Sequence, residues 1–305
     1  MRRGGRAGKW ALALLRVGLA TCAEIPELDA DDEPLLPALR ARSVDARPAV
    51  WDAPDVDWPS FDLVVVRSTW DYAERRRDFL EWARSLPRVL NPPAVLEWST
   101  DKERYLPALA VAGVPVVPTS FVRPGDPFAP PESEFVVKPA VSAGGRSSAR
   151  FRGGDGRAAA ALVRRIHESG RTAMVQPDLG DETETAVVHV DGRYSHAVRR
   201  RVPLPSAEAQ EVLYLEEEVD PGGAGAADRE LAERAIAAAP GPVLYGRVDI
   251  AAGCVVELEL AEPSLYLSFA PDGEATERFA AAIAREAATS QRLRISPEKG
   301  PTTSQ

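Results

Sequence analysis

The stretch Phe135-Val136-Val137-Lys138-Pro139-Ala140-Val141 sets one lysine in an otherwise apolar strand and runs straight into Ser142-Ala143-Gly144-Gly145-Arg146-Ser147-Ser148. A buried ammonium without a partner costs several kcal/mol, so Lys138 must meet an anion. The loop behind it is short, small and Gly-rich. Such a loop lets main-chain N–H groups close around phosphate oxygens, which makes Ser142, Gly144 and Gly145 candidate phosphate contacts. A strand lysine beside a Gly-rich flap is a phosphate-clamping arrangement. It is not a Walker A loop, because GxxxxGK[ST] occurs nowhere in the chain. The competing reading is a lysine on an exposed edge strand before an ordinary hairpin.

Lysine is scarce throughout. Of 37 basic residues only Lys9, Lys102, Lys138 and Lys299 are lysines, and the rest are arginines. A compact ammonium on a flexible stem is not interchangeable with a guanidinium, so each lysine marks a place to look, although genomic base composition can create the same bias. The 305 residues suggest two domains. No apolar run approaches the ~18 residues of a membrane span. A net charge of −9 argues against a general nucleic-acid binder. Cys22 and Cys254 form no CxxC, and three histidines supply no zinc-ligand pair. A reducing, cytoplasmic setting is expected. The basic start only superficially resembles a secretory leader, because Arg16 interrupts its apolar run and no A-x-A site follows.

Residues 1–16 are expected to be a basic disordered extension. From 17 to 97 strands alternate with helices: Val17–Thr21, a helix through Leu35 and Leu39, Val44–Trp51, Phe61–Arg67, and a helix over Asp71–Leu86. That alternation predicts a parallel α/β sheet. Ligands gather beyond the C-terminal strand ends of such sheets. Arg67, Ser68, Thr69, Trp70 and Asp71 lie at such an end, and read either as substrate contacts or as a helix N-cap with core aromatics. Pro92-Pro93 suggests a domain boundary. Beyond it come a helix over 100–112, the Lys138 strand and flap, a helix over 158–169, and hairpins at Asp191-Gly192 and Gly253. Residues 221–225 look like a flexible loop and 228–239 like a helix. A closing helix spans 279–288, and residues 289–305 are expected to be a disordered tail.

Three further groups carry chemistry. Gln176-Pro177-Asp178-Leu179 ends an apolar strand. Proline has no N–H, so a donor to an adenine edge must come from Asp178 or Leu179. Asp249, Glu257 and Glu259 lie on two strands joined by a short turn, and Glu257 and Glu259 share a face. Clustered carboxylates in an apolar setting repel unless a cation neutralises them; hard oxygen ligands of this kind describe Mg²⁺. A salt-bridged surface hairpin is the alternative. Arg247 faces the same side as Asp249, and Glu262 and Ser264 follow within reach. Arg199-Arg200-Arg201 closes another strand, as a solvated turn or as the contact of a transferred phosphate.

Taken in order, these residues resemble the ATP-grasp superfamily over roughly 98–288. The resemblance implies an N-terminal α/β pre-ATP-grasp domain (17–97) and a two-lobed α+β ATP-grasp domain (98–288). Lys102 and Lys138 match the family's two phosphate lysines, and Gln176–Leu179 its adenine hinge. Glu184 matches its ribose-side acid and Arg199 its γ-phosphate contact. Asp249, Glu257 and Glu259 match its metal ligands, with Glu-x-Glu standing where members usually carry Glu-x-Asn. Within the superfamily the chain looks most like a small glutathione-synthetase-like group that includes a cyclo-ligase of cycloserine biosynthesis. The resemblance implies an ATP- and Mg²⁺-dependent ligase that joins a small carboxylate to an amine or similar nucleophile. A non-catalytic ATP-binding module and a kinase on the same scaffold are the alternatives.

Overall fold

In the computed structural model, residues 14–180, 182–209 and 212–295 are described. The expected 1–16 extension therefore lies almost wholly outside them. The first strand, β1 (Leu15–Thr21), lies between β2 (Val44–Val50) and β3 (Leu63–Ser68), and β4 (Val89–Leu90) completes a parallel sheet in the order β2-β1-β3-β4. Every residue of β3 is buried, as its continuous apolar run requires of a strand covered on both faces. Helices α1 (Leu35–Ala41) and α2 (Arg76–Ser85) flank the sheet. The helix expected from Asp71 starts later. A 3₁₀ turn over Trp70–Glu74 precedes α2, because the Asp71 carboxylate turns to Trp51 Nε1 (2.8 Å) and to Arg75.

The Pro92-Pro93 pair leads directly into a helix. Pro93 opens α3 (Pro93–Ser99), where a missing N–H does no harm, so the boundary expected at 97 falls inside a helix. After α4 (Lys102–Val111), the strands β5 (Ser120–Val122), β6 (Phe135–Pro139), β7 (Ala149–Phe151) and β8 (Ala173–Pro177) form an antiparallel sheet in the order β5-β8-β6-β7. Helix α5 (Gly156–Glu168) covers one face of it.

The second antiparallel sheet contains β9 (Glu184–Val190), β10 (Arg193–Arg201), β11 (Glu218–Gly222), β12 (Tyr245–Ala251) and β13 (Cys254–Glu259), in the order β11-β10-β9-β12-β13. The start of the expected flexible loop is thus edge strand β11, held by main-chain pairing with β10. Helix α6 (Ala226–Ala237) packs on one face, against Val187, Ala197 and Val248. The other face, with Ala186, Val188, Val198 and Tyr245, shares a core with β1, β3 and α7 (Glu274–Ile295). Helix α7 runs past the end expected at 288. Its last turns dock on the N-terminal sheet through Gln291 Nε2 to Asp62 (3.3 Å) and Arg294 Nη1 to the Phe61 carbonyl (3.0 Å).

Asn91 welds the two halves. Its Nδ2 donates to the carbonyls of Tyr245 (2.9 Å) and Leu260 (2.7 Å), and its Oδ1 accepts from Leu244 N–H (2.8 Å). Asn91→Ala leaves three buried main-chain groups unpaired at ~1–3 kcal/mol each. A loss of roughly 3 kcal/mol or more is expected in thermal or denaturant unfolding.

Candidate active site

The cleft lies between the two antiparallel sheets and encloses ≈ 1010 Å³ including its open mouth. Val117, Val136, Val202, Leu204 and Val256 line an apolar part; Lys138, Glu184, Arg200, Glu257 and Glu259 line a charged part. Ser142, Gly144, Gly145, Gln176, Asp178 and Leu179 also face it. The nucleotide residues expected from sequence thus come together around one space, except Lys102. Its ammonium lies in a smaller neighbouring cavity, 2.7 Å from Glu257 Oε1 and 3.2 Å from Ser142 Oγ. The Asp178 N–H is already committed to the Glu134 carbonyl (3.1 Å), which leaves the Leu179 N–H as the hinge donor.

The flap has no slack. Gly144 has φ +59°, and a Cβ there would lie 2.6 Å from Leu213 O and 2.7 Å from Tyr214 Cβ. Gly144 O also accepts from Leu215 N–H at 2.8 Å. Gly144→Ala should therefore displace the flap from 213–215 and weaken nucleotide binding by about tenfold or more, leaving the unfolding midpoint near the parent's. Calorimetric titration with MgATP checks this.

Strand geometry brings the acids together. Asp249 pairs with Glu257 and Arg247 with Glu259 across β12 and β13. Carboxylate oxygens of Asp249, Glu257 and Glu259 lie within 4.8 Å of one another. Cations already surround them. Arg247 grips Asp249 with Nε (2.9 Å) and Nη2 (3.1 Å) and reaches Glu259 at 2.8 Å, while Arg200 lies 3.3 Å from Asp249. Burial works against the Glu257 carboxylate, but Lys102 and Lys138 overcome it and hold its pKa below the ordinary value. Glu259 goes the other way: burial, with Glu257 and Asp249 adding, outweighs Arg247 and raises it. Glu262 is raised further still, by burial and then by Glu259. Glu259 and Glu262 thus sit where burial and neighbouring carboxylates oppose their charged forms, a penalty that a bound divalent cation would relieve.

Arg199 stands outside this site. It is exposed, on the α6 face of β10, and donates to Thr185 Oγ1 at 2.7 Å. Side chains alternate along a strand, so the neighbour, Arg200, faces the cleft instead. Arg200 meets Glu184 (2.8 Å), Glu217 (3.1 Å) and Asp249. No local signal separates the two arginines, because Ala197 and Val198, two residues before Arg199 and Arg200, are both apolar and both buried. Glu184, expected on the ribose side, is in the cleft but spent on Arg200.

A second cavity opens beside the flap, lined by Asp29, Trp70, Gly144, Tyr214, Arg247, Glu259, Glu262, Ser264 and Tyr266 among others. Three expected substrate residues, Trp70, Glu262 and Ser264, are there. Arg67, Ser68, Thr69 and Asp71 are not. Arg67 is 2% exposed, with Nε 3.0 Å from both Asp32 oxygens and Nη2 2.9 Å from the Pro263 carbonyl. It fixes the 262–264 loop from behind. Ser68 Oγ accepts from Asp29 N–H (3.2 Å), Thr69 is fully buried, and the Asp71 carboxylate is taken by Trp51 Nε1 and Arg75. Asp29, Glu217 and Tyr266 carry no motif in sequence and were missed.

The cycloserine biosynthesis protein DcsG of Streptomyces lavendulae is 33% identical over 303 residues, covering 88% of this chain and 97% of that protein. The chain belongs to the D-cycloserine synthetase family. A family profile for the N-terminal domain of D-cycloserine synthetase DcsG matches residues 17–91. The crystal structure of D-cycloserine synthetase DcsG superposes with a TM-score of 0.77 at 32% identity, covering 89% of this chain and 99% of that one. D-alanine–D-alanine ligase from Bacillus anthracis complexed with ATP shares the fold (TM-score 0.62, 15% identity, 94% and 100% coverage). So does the ATP-grasp ligase PsnB (TM-score 0.58, 16% identity, 90% and 99% coverage). The protein is an ATP-dependent ligase with the ATP-grasp fold. Among the described residues no helix is long and apolar enough to cross a membrane.

Proposed function

We propose that this chain activates a small carboxylate substrate as an acyl phosphate and passes the acyl group to an amine or similar nucleophile. The observation that carries this reading is the meeting of Lys138, the flap, Arg200, Glu257 and Glu259 around one cleft that is also lined by valines, with the Asp249 carboxylate within 4.8 Å of the two glutamates. Adenine would lie among the valines, against the Leu179 N–H. The triphosphate would extend toward Lys102, Lys138 and the flap amides. Asp249, Glu257 and Glu259 are the residues that would hold Mg²⁺, which when bound neutralises phosphate charge as a Lewis acid.

A substrate carboxylate in the second cavity directs an oxygen at the γ-phosphorus. The new P–O bond forms as the bond to the β–γ bridging oxygen breaks, and ADP leaves with that electron pair. Arg200 and Arg247 face the equatorial oxygens on which charge spreads. The nucleophile's lone pair then attacks the acyl carbon, inorganic phosphate departs with its electron pair, and the nitrogen loses a proton. The closed flap keeps water from the acyl phosphate. The name of the 33% identical relative ties it to D-cycloserine, whose ring contains a carbonyl–nitrogen bond of the kind this sequence of steps makes.

An ADP-release screen of small carboxylates against nitrogen nucleophiles, with MgATP and mass detection, tests the reading. ADP and phosphate should appear in equal amounts, with a product one water lighter than its precursors. ADP accompanied by a stable phosphorylated product, or nucleotide binding without ADP across the panel, overturns it.

A further inference from the structure

Tyr266 has φ 51° and ψ 43°. A left-handed backbone at a bulky residue costs of order 1–2 kcal/mol, so its surroundings must impose it. His196 does so from β10. Its Nε2 lies 2.9 Å from the Leu265 carbonyl and 3.1 Å from the Tyr266 carbonyl. Two acceptors at one nitrogen assign the proton to Nε2 and leave Nδ1, 3.1 Å from Ser195 Oγ, to accept. Burial keeps this imidazole neutral by lowering its pKa.

The side chain held in this way reaches both arginines of the site. Tyr266 is 6% exposed. Its hydroxyl donates to Glu217 Oε2 at 2.6 Å and accepts from Arg200 Nη1 at 3.4 Å. Glu217 Oε1 takes a second bond from the same Arg200 nitrogen, at 3.1 Å. The Arg247 guanidinium carbon lies 5.4 Å from the centre of the tyrosine ring, within cation–π range. Burial raises the phenol pKa, so the hydroxyl keeps its proton to donate. One side chain therefore fixes two guanidinium groups that come from different strands.

We propose that Tyr266 is a positioning residue for phosphoryl transfer, braced by His196, that holds Arg200 through its hydroxyl and Arg247 through its ring. The proposal rests on the nucleotide reading given above. Preorganised cations act where charge develops and stabilise the transition state more than bound substrate. A defect in their placement should therefore fall on the transferring phosphoryl group and spare ground-state nucleotide binding.

Tyr266→Phe removes the hydroxyl and keeps the ring, so folding is preserved and thermal unfolding serves as the control. The probes are MgATP and MgADP with aluminium fluoride, a mimic of the phosphoryl group in flight, titrated by calorimetry into the full chain. MgATP affinity should stay within about twofold, while the aluminium fluoride complex should weaken by about tenfold or more. Equal losses for both probes, or no loss for either, overturn the role of Tyr266. A parent protein that gains nothing from aluminium fluoride overturns it as well, by removing the charge-stabilising role of the arginines. A parent protein that does not bind MgATP overturns the nucleotide reading itself.

Discussion

Lys138→Ala is expected to lower MgATP-dependent ADP formation by roughly 10²–10³-fold or more, in the range seen when a preorganised charge-stabilising group is removed. The same change should leave the nucleotide-free protein as stable as the parent, or more stable. The reason lies in the company Lys138 keeps. Its ammonium pKa is lowered first by burial, and Lys102 and Arg200 push the same way against the pull of Glu257 and Glu184. Without nucleotide, this lysine is therefore an electrostatic liability. A triphosphate turns that liability into attraction, which is how a receptor built for an anion should behave. Activity assays paired with thermal unfolding, with and without MgATP, test both halves. A variant that unfolds well below the parent without nucleotide would make Lys138 structural. Lys138→Arg and Lys102→Arg keep the charge, but a broad planar fork fits a clamp shaped for a compact ammonium poorly. Near-parent turnover in both would remove the significance of lysine at these positions.

What the sequence made legible follows a physical divide. Lys138, Asp249, Glu257 and Glu259 could be read because each is a charge in a strand of apolar neighbours, and strand period fixes which of them share a face. The flap could be read because Gly144 and Gly145 have backbone conformations that side chains resist. Arg199 and Arg200 were one step from the same success. A register irregularity between Tyr194 and His196 disturbs the count from the hairpin, and Ala197 and Val198 are both buried, on opposite faces, so apolar neighbours do not choose between Arg199 and Arg200. The Arg67–Asp71 loop brings only Trp70 to the second cavity, and its other four residues are turned elsewhere for another reason. It does end a strand at the expected place, yet its partners, Asp32, Asp29 and Trp51, lie 20 to 39 residues away. No local pattern says whether a polar side chain is spent on the fold or free for a ligand. Tyr266 and Glu217 are the extreme case: 49 residues apart and without a motif, they meet only in three dimensions.

Asp249→Asn should behave oppositely to Lys138→Ala, because it removes the carboxylate that two buried arginines require. Asp249 is fully buried, with both oxygens on Arg247 and Arg200 3.3 Å away. Removing one partner of a buried ion pair costs ~3–5 kcal/mol, since the remaining charge stays behind without compensation. For a chain of this size that corresponds to a fall in unfolding midpoint of order 10 °C. The amide keeps one acceptor for Arg247 and loses the charge, so Arg200 is left with Glu184 and Glu217 and should shift toward them. The variant should also lose turnover, and its nucleotide affinity should no longer respond to Mg²⁺, which calorimetry in the presence and absence of the ion will show. If the midpoint holds while the Mg²⁺ response disappears, the carboxylate serves the metal alone, and Arg247 and Arg200 are held by their other partners. If the midpoint falls while the Mg²⁺ response remains, Asp249 is a neutraliser of arginines and the ion belongs to Glu257 and Glu259. Loss of both is the expected result, because the geometry gives this one carboxylate two jobs: it keeps the arginines in place before nucleotide arrives and offers a hard oxygen once it has.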